Sequence, residues 1–146
     1  MCSRADQAAA CFLQGFNCSQ AVLSVYCEEL GLDRETALKL ACGLGAGMGR
    51  RQETCGAVSG AYLVIGLKCG KFMEGSGPDG DPAKEKTYAL VREFARRFEA
   101  KNGSTNCRAL FGMDMQCADR EIVAERVKIF CTQMVRDAVE VLEGLL

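Results

Sequence analysis

The sequence predicts an all-α fold, a small bundle of about six to seven helices. Three observations predict it. Capping residues recur ahead of apolar segments, those segments repeat apolar residues every three or four positions, and no stretch alternates with period two beside hairpin turn residues. The 146 residues are read as one helical domain, 1–146. Apolar residues make up 49% and charged residues 25%, which suffices for a core without disulfide staples.

Each helix has its own signal. Ser3 and Asp6 fit a capping box that opens a first helix reaching about Gln14, where Gly15 ends it. Asn17 caps a second over 18–30, closed by Gly31. Asp33 caps a third to about Cys42. Thr54 is read as the cap of a fourth over 55–69, stopped by Gly70. Residues 71–81 read as a solvated acidic loop without the ligand pattern of a calcium-binding helix–loop–helix. Asp81-Pro82 opens a helix to about Lys101 before Asn102-Gly103. Asn106 caps a short one over 107–111. Asp119 caps the last, where Ile122, Val123, Val127, Phe130, Met134, Ala138, Val141, Leu142 and Leu145 form one apolar stripe.

Charge and composition exclude several functions. A net charge of -1 without a basic cluster leaves no footprint for nucleic acid. No apolar run approaches the roughly 20 residues that span a bilayer. The N-terminus lacks the basic start and apolar core of a secretory signal, so the expected location is the cytoplasm. Ten cysteines stand beside no histidine. Without histidine there is no Ser-His or Cys-His dyad and no mixed Cys/His zinc site. Thiolate chemistry remains.

Cysteine placement narrows it further. Asn17-Cys18, Thr54-Cys55 and Asn106-Cys107 repeat one arrangement, a capping residue followed by a cysteine at a helix start. Free backbone N–H groups and the positive helix end there favour thiolate over thiol. The N–H groups of Gly56 and Ala57 are read as the donors that stabilise negative charge at Cys55 or on a bound group. Cys131 lies mid-helix on the stripe with Val127, Met134 and Ala138, and should point inward. Cys11, Cys27, Cys42 and Cys69 read as apolar fillers, Cys2 and Cys117 as incidental. No Cys-x-x-Cys is present, so a four-cysteine site must be assembled from distant segments.

Other features read more plainly. The alternating glycines from Gly43 to Gly49 lack a phosphate-loop register and a following lysine, which excludes a nucleotide cradle and suggests a tight connection with close backbone approach. Arg50 and Arg51 read as a solvated pair, with a place beside a thiolate site as the alternative. Gly56, Ala57 and Gly60 give a smooth face for close helix packing.

The segments Asn17-Cys18-Ser19-Gln20-Ala21-Val22, Gly47-Met48-Gly49, Cys55-Gly56-Ala57-Val58-Ser59-Gly60, Asn106-Cys107 and Cys131 together resemble the redox-active cysteine protein family labelled C_GCAxxG_C_C. The resemblance spans roughly residues 10 to 145. It implies that Cys18, Cys55, Cys107 and Cys131 carry the chemistry. It brings no haem, because no Cys-x-x-Cys-His is present. Two readings of the four cysteines stay open. In one, Cys55 is a low-pKa attacking thiolate and a neighbour resolves its disulfide. In the other, all four ligate zinc or an iron–sulfur cluster. Either implies an oxidoreductase or electron-transfer role with an unidentified redox partner, and leaves room for a homo-oligomer. The third reading is a non-catalytic helical interaction module whose cysteines only pack.

Overall fold

The computed structural model describes residues 2–75, 77 and 80–146. Its fold is the predicted one: seven helices and no strand among these residues. They are α1 (Arg4–Leu13), α2 (Cys18–Ser24), α3 (Arg34–Cys42), α4 (Gly56–Cys69), α5 (Pro82–Asn102), α6 (Cys107–Phe111) and α7. Helix α7 runs from Arg120–Arg126 through a π-helical turn, Val127–Cys131, into Thr132–Leu145. Among the described residues no helix is long and apolar enough to cross a membrane.

Helix α2 lies at the centre, against α1, α3, α4 and α7. Its closest approach is to α4, and glycine permits it. A Cβ on Gly60 would stand 2.8 Å from the Ser19 carbonyl oxygen and 3.2 Å from Val22 Cβ. The face of Gly56, Ala57 and Gly60 therefore serves close packing, as its small residues suggest. Phe94 and Phe98, both fully buried, stack at 5.8 Å, and Tyr62 meets Phe94 edge-on, which fastens α5 to α4. Arg4–Glu143 at 3.0 Å and Arg136–Asp6 at 2.5 Å tie α1 to α7. The Arg136 guanidinium holds the Asp6 carboxyl down at about 2.

Most predicted caps are in place. Ser3, Asn17, Asp33, Asp81, Asn106 and Asp119 each accept a hydrogen bond from the first turn that follows. Asn17 does more than cap. Its amide also donates to the Cys42 carbonyl at 2.8 Å, tying the start of α2 to the end of α3. Asn17→Ala is therefore expected to cost about 1–2 kcal/mol, the upper part of the range for a lost cap. Urea unfolding against wild type measures it.

Two expectations need correction, and a third lies partly outside the described residues. Helix α2 ends at Ser24, not near residue 30, and turns carry the chain to Leu32. The Ser24 hydroxyl donates back to the Ala21 carbonyl at 3.0 Å, a local bond that competes with the helix. Thr54 does not cap α4. It forms an isolated antiparallel bridge with Asn106, and Cys55 is itself the N-cap residue. The loop over 71–81 includes Ser76, Pro78 and Asp79, which lie outside the described residues.

The glycine-rich connection departs most from ordinary geometry. Ala46, Gly47, Met48, Gly49 and Arg50 all have positive φ, between 53° and 70°, and Gln52 follows at 55°. This is a turn of left-handed helix, closed by bonds from Met48 N–H to the Leu44 carbonyl and Gly49 N–H to the Gly45 carbonyl. Left-handed backbone costs roughly 1–2 kcal/mol per non-glycine residue, so surrounding contacts must hold it. Gln52 is one such anchor. Buried, it donates to the Met113 carbonyl at 2.8 Å and accepts from Met115 N–H at 2.9 Å.

Candidate thiol site

Four local devices bring the four cysteines to one place. Asn17 starts α2 and so fixes Cys18 at its first helical position. The Thr54–Asn106 bridge holds the starts of α4 and α6 together: Cys55 N–H donates to the Thr105 carbonyl, and Cys107 N–H to the Glu53 carbonyl. The left-handed turn lies against both. A Cβ on Gly47 would stand 2.7 Å from Cys107 Cβ and 2.6 Å from Gln52 Cα. A Cβ on Gly56 would collide with Cys18 Sγ. The π-helical turn ends at Cys131. Such turns offset the side chains that follow, and they recur at functional sites.

Cys18, Cys55, Cys107 and Cys131 all line one cavity of about 1150 Å³. The first three are buried and Cys131 is half-buried. None of the ten cysteines is in a disulfide. Among the described residues, no three Cys, Asp or Glu side chains are grouped tightly enough for a single metal ion. Of the two residues assigned to a bound group, Gly56 lines the cavity, whereas the Ala57 methyl is fully buried in the core.

The electrostatics differ from what the helix starts alone suggest. Burial pushes the Cys18 thiol up, while the N–H groups of Ala46, Ser19 and Gly56 pull it down. Burial also raises Cys55 well above the ordinary thiol range. The charge of Cys18 adds to this, and the N–H groups of Ala57 and Val58 only partly offset it. Those two N–H groups lie near the sulfur without completing a cap hydrogen bond. Burial and then Cys18 push Cys107 up to about 11. Burial, Cys18 and Cys107 push Cys131 up to about 12, against the pull of Arg126. The expectation of a depressed Cys55 pKa is thus overturned. Desolvation and like charge outweigh the N–H groups at the helix start. Cys18 is the hub, since its charge acts on each of the other three.

Two participants were not visible in the sequence. Ala46 supplies an N–H to Cys18 because its backbone is left-handed. Arg126 stands near Cys131, its guanidinium 5.2 Å and 4.8 Å from the Phe111 and Phe130 ring centres, and it donates to the Phe111 carbonyl at 2.6 Å. Arg126 and Cys131 are five residues apart, which ordinary helical spacing does not pair. The π turn does. The fillers behave as expected where they are buried: Cys27 is wholly in the core, and the buried Cys11 sulfur lies 3.4 Å from the Ser24 hydroxyl oxygen. Cys42 is exposed and Cys69 half-buried, so neither fills the core.

The family model described as "Putative redox-active protein (C_GCAxxG_C_C)" matches residues 16–145. No curated protein and no solved structure matches the chain.

Proposed function

Starting from the fact that this chain belongs to the C_GCAxxG_C_C family of redox-active proteins, we propose that Cys18, Cys55, Cys107 and Cys131 form a four-thiolate electron-transfer site that holds an iron–sulfur cluster. One observation carries the reading. Four thiols from four separate elements face one cavity, and their charges act on one another. Four thiolates at one site are the ligand set of an iron–sulfur cluster.

The electrostatics support the same reading. Four neighbouring thiols cannot all ionise unaided, because each thiolate raises the pKa of the next. A bound cationic core removes that penalty, and the protons leave as it binds. The chain's own groups then have definable tasks. The N–H groups of Ala46, Ser19 and Gly56 at Cys18, and of Ala57 and Val58 at Cys55, stabilise negative charge on sulfur. Arg126 does the same for Cys131. Three of the four cysteines are buried, and burial with hydrogen bonds to sulfur tunes the potential of such centres. An iron–sulfur cluster would supply one-electron transfer there.

The test is iron and acid-labile sulfide in protein prepared without oxygen. Wild type should contain both. Each of Cys18→Ser, Cys55→Ser, Cys107→Ser and Cys131→Ser should lose most of the iron, and Cys27→Ser should keep it. Wild-type protein without iron or sulfide, or iron unaffected by all four changes, rules the reading out. A second reading has one observation behind it: the Cys18 sulfur rests against Gly56, next to Cys55. If iron is absent but a mild oxidant forms a Cys18–Cys55 disulfide, with loss of two protons and two electrons, the site is a dithiol couple instead.

A further inference from the structure

The cavity beyond the sulfurs carries a charge pattern unlike that of the chain. Arg50, Arg120 and Lys128, all exposed, stand in its wall, and among the described residues no aspartate or glutamate lines it. The chain as a whole has 19 acidic residues against 18 basic ones, so a wall of cations alone is a local arrangement. Among the described residues none of these three forms an ion pair, whereas Arg4, Arg97 and Arg136 elsewhere are held by carboxylates at 2.5–2.8 Å. Deeper in, the wall is apolar: Phe12, Phe16, Leu110, Phe111, Phe130 and Met134. An apolar recess lined also by a few polar or charged groups is the ordinary form of a small-molecule site.

We propose that this cavity binds a small organic anion, its apolar body seated on the aromatic wall beside the cysteines and its acidic group facing Arg50, Arg120 and Lys128. As the substrate class of the redox site it rests on the reading above; as a binding site it stands on the cavity alone. The occupant is a small molecule rather than a protein segment, because the recess, at about 1150 Å³, is near the range of such sites. The unpaired cations draw an anion and orient it, and the apolar wall supplies most of the affinity.

Two fluorescent probes test this: 1-anilinonaphthalene-8-sulfonate, an aromatic anion, and N-phenyl-1-naphthylamine, its uncharged parent. The anion should bind at one site per chain and more tightly than the neutral probe. The double variant Arg120→Glu/Lys128→Glu should weaken the anion roughly tenfold or more at low salt and leave the neutral probe unchanged. Lys86→Glu/Arg92→Glu, the same change in net charge on α5, should alter neither. Circular dichroism verifies that both variants are folded. Equal binding of the two probes overturns the proposal, as does an anion affinity that survives Arg120→Glu/Lys128→Glu or falls equally in both double variants. Iron content of the same samples separates the two ideas. Anion binding without iron leaves the pocket and removes the cluster; iron without anion preference leaves the cluster and removes the pocket.

Discussion

Gly47→Ala is expected to lower the unfolding free energy by roughly 3–5 kcal/mol, enough to consume much of a small domain's stability. Two costs add. At φ +70° an alanine pays about 1 kcal/mol or more for left-handed backbone. Its methyl would also meet Gln52 Cα at 2.6 Å, Cys107 Cβ at 2.7 Å and Glu53 N at 2.7 Å, and two of these are backbone atoms that cannot rotate away. Either the left-handed turn opens or α6 moves, and both disturb Cys107. Gly66→Ala is the opposite case. Gly66 is inside α4, and nothing lies within 4 Å of its would-be methyl, so alanine should stabilise by about 0.5–1 kcal/mol. Urea unfolding of both variants measures the contrast. A Gly47→Ala cost below about 1 kcal/mol would mean that the turn is not the rigid support described.

That turn also shows where sequence reading stops. Helices are legible because caps and apolar spacing are local: Ser3, Asn17, Asp33, Asp81, Asn106 and Asp119 all sit where their helices begin. The glycines at 43, 45, 47 and 49 announce freedom of the backbone, but not its direction. Ala46, Met48, Arg50 and Gln52 adopt positive φ against their own preference, and only tertiary contacts such as Gln52 with Met113 and Met115 explain it. Thr54 departs from its local signal for a related reason. A threonine before an apolar helix is a good cap on local grounds, yet its backbone is taken by pairing with Asn106, 52 positions away.

The candidate site divides in the same way. The capping motifs and the family resemblance select Cys18, Cys55, Cys107 and Cys131, and the fold brings these four to one cavity. Their acidity was not legible, because it depends on how much water the fold removes. A helix start favours a thiolate only while solvent shares the charge. With Cys55 only 6% exposed and Cys18 beside it, the neutral thiol wins. Arg126 and the N–H of Ala46 escaped notice because each depends on an unusual backbone, one π-helical and the other left-handed.

The raised pKa values of Cys107 and Cys131 set how their alkylation depends on pH. Only the thiolate is alkylated, so raising a thiol pKa lowers its rate at a given pH. In reduced, metal-free protein Cys107, pushed up to about 11, should react at pH 8 at least ~100-fold more slowly than an ordinary thiol. Cys131, at about 12, should be slower still. Both rates should climb about tenfold per pH unit and level off only near those values. Stability follows the same linkage. The native state holds its protons more tightly than the unfolded chain, so this contribution is complete below the ordinary thiol pKa. It is lost as pH rises from there towards 11 and 12. Ligation reverses the picture without restoring reactivity. Metal-bound sulfurs are thiolates at neutral pH, yet they are occupied, so their alkylation should stay slow and nearly flat with pH. Iodoacetamide labelling from pH 7 to 10, resolved by peptide mass spectrometry, distinguishes these states, with exposed Cys2 and Cys117 as internal comparators. Cys107 reacting at the comparators' rate at pH 8 in metal-free protein would show that water reaches the site. The repulsion argument for a bound cationic core would then fall with it.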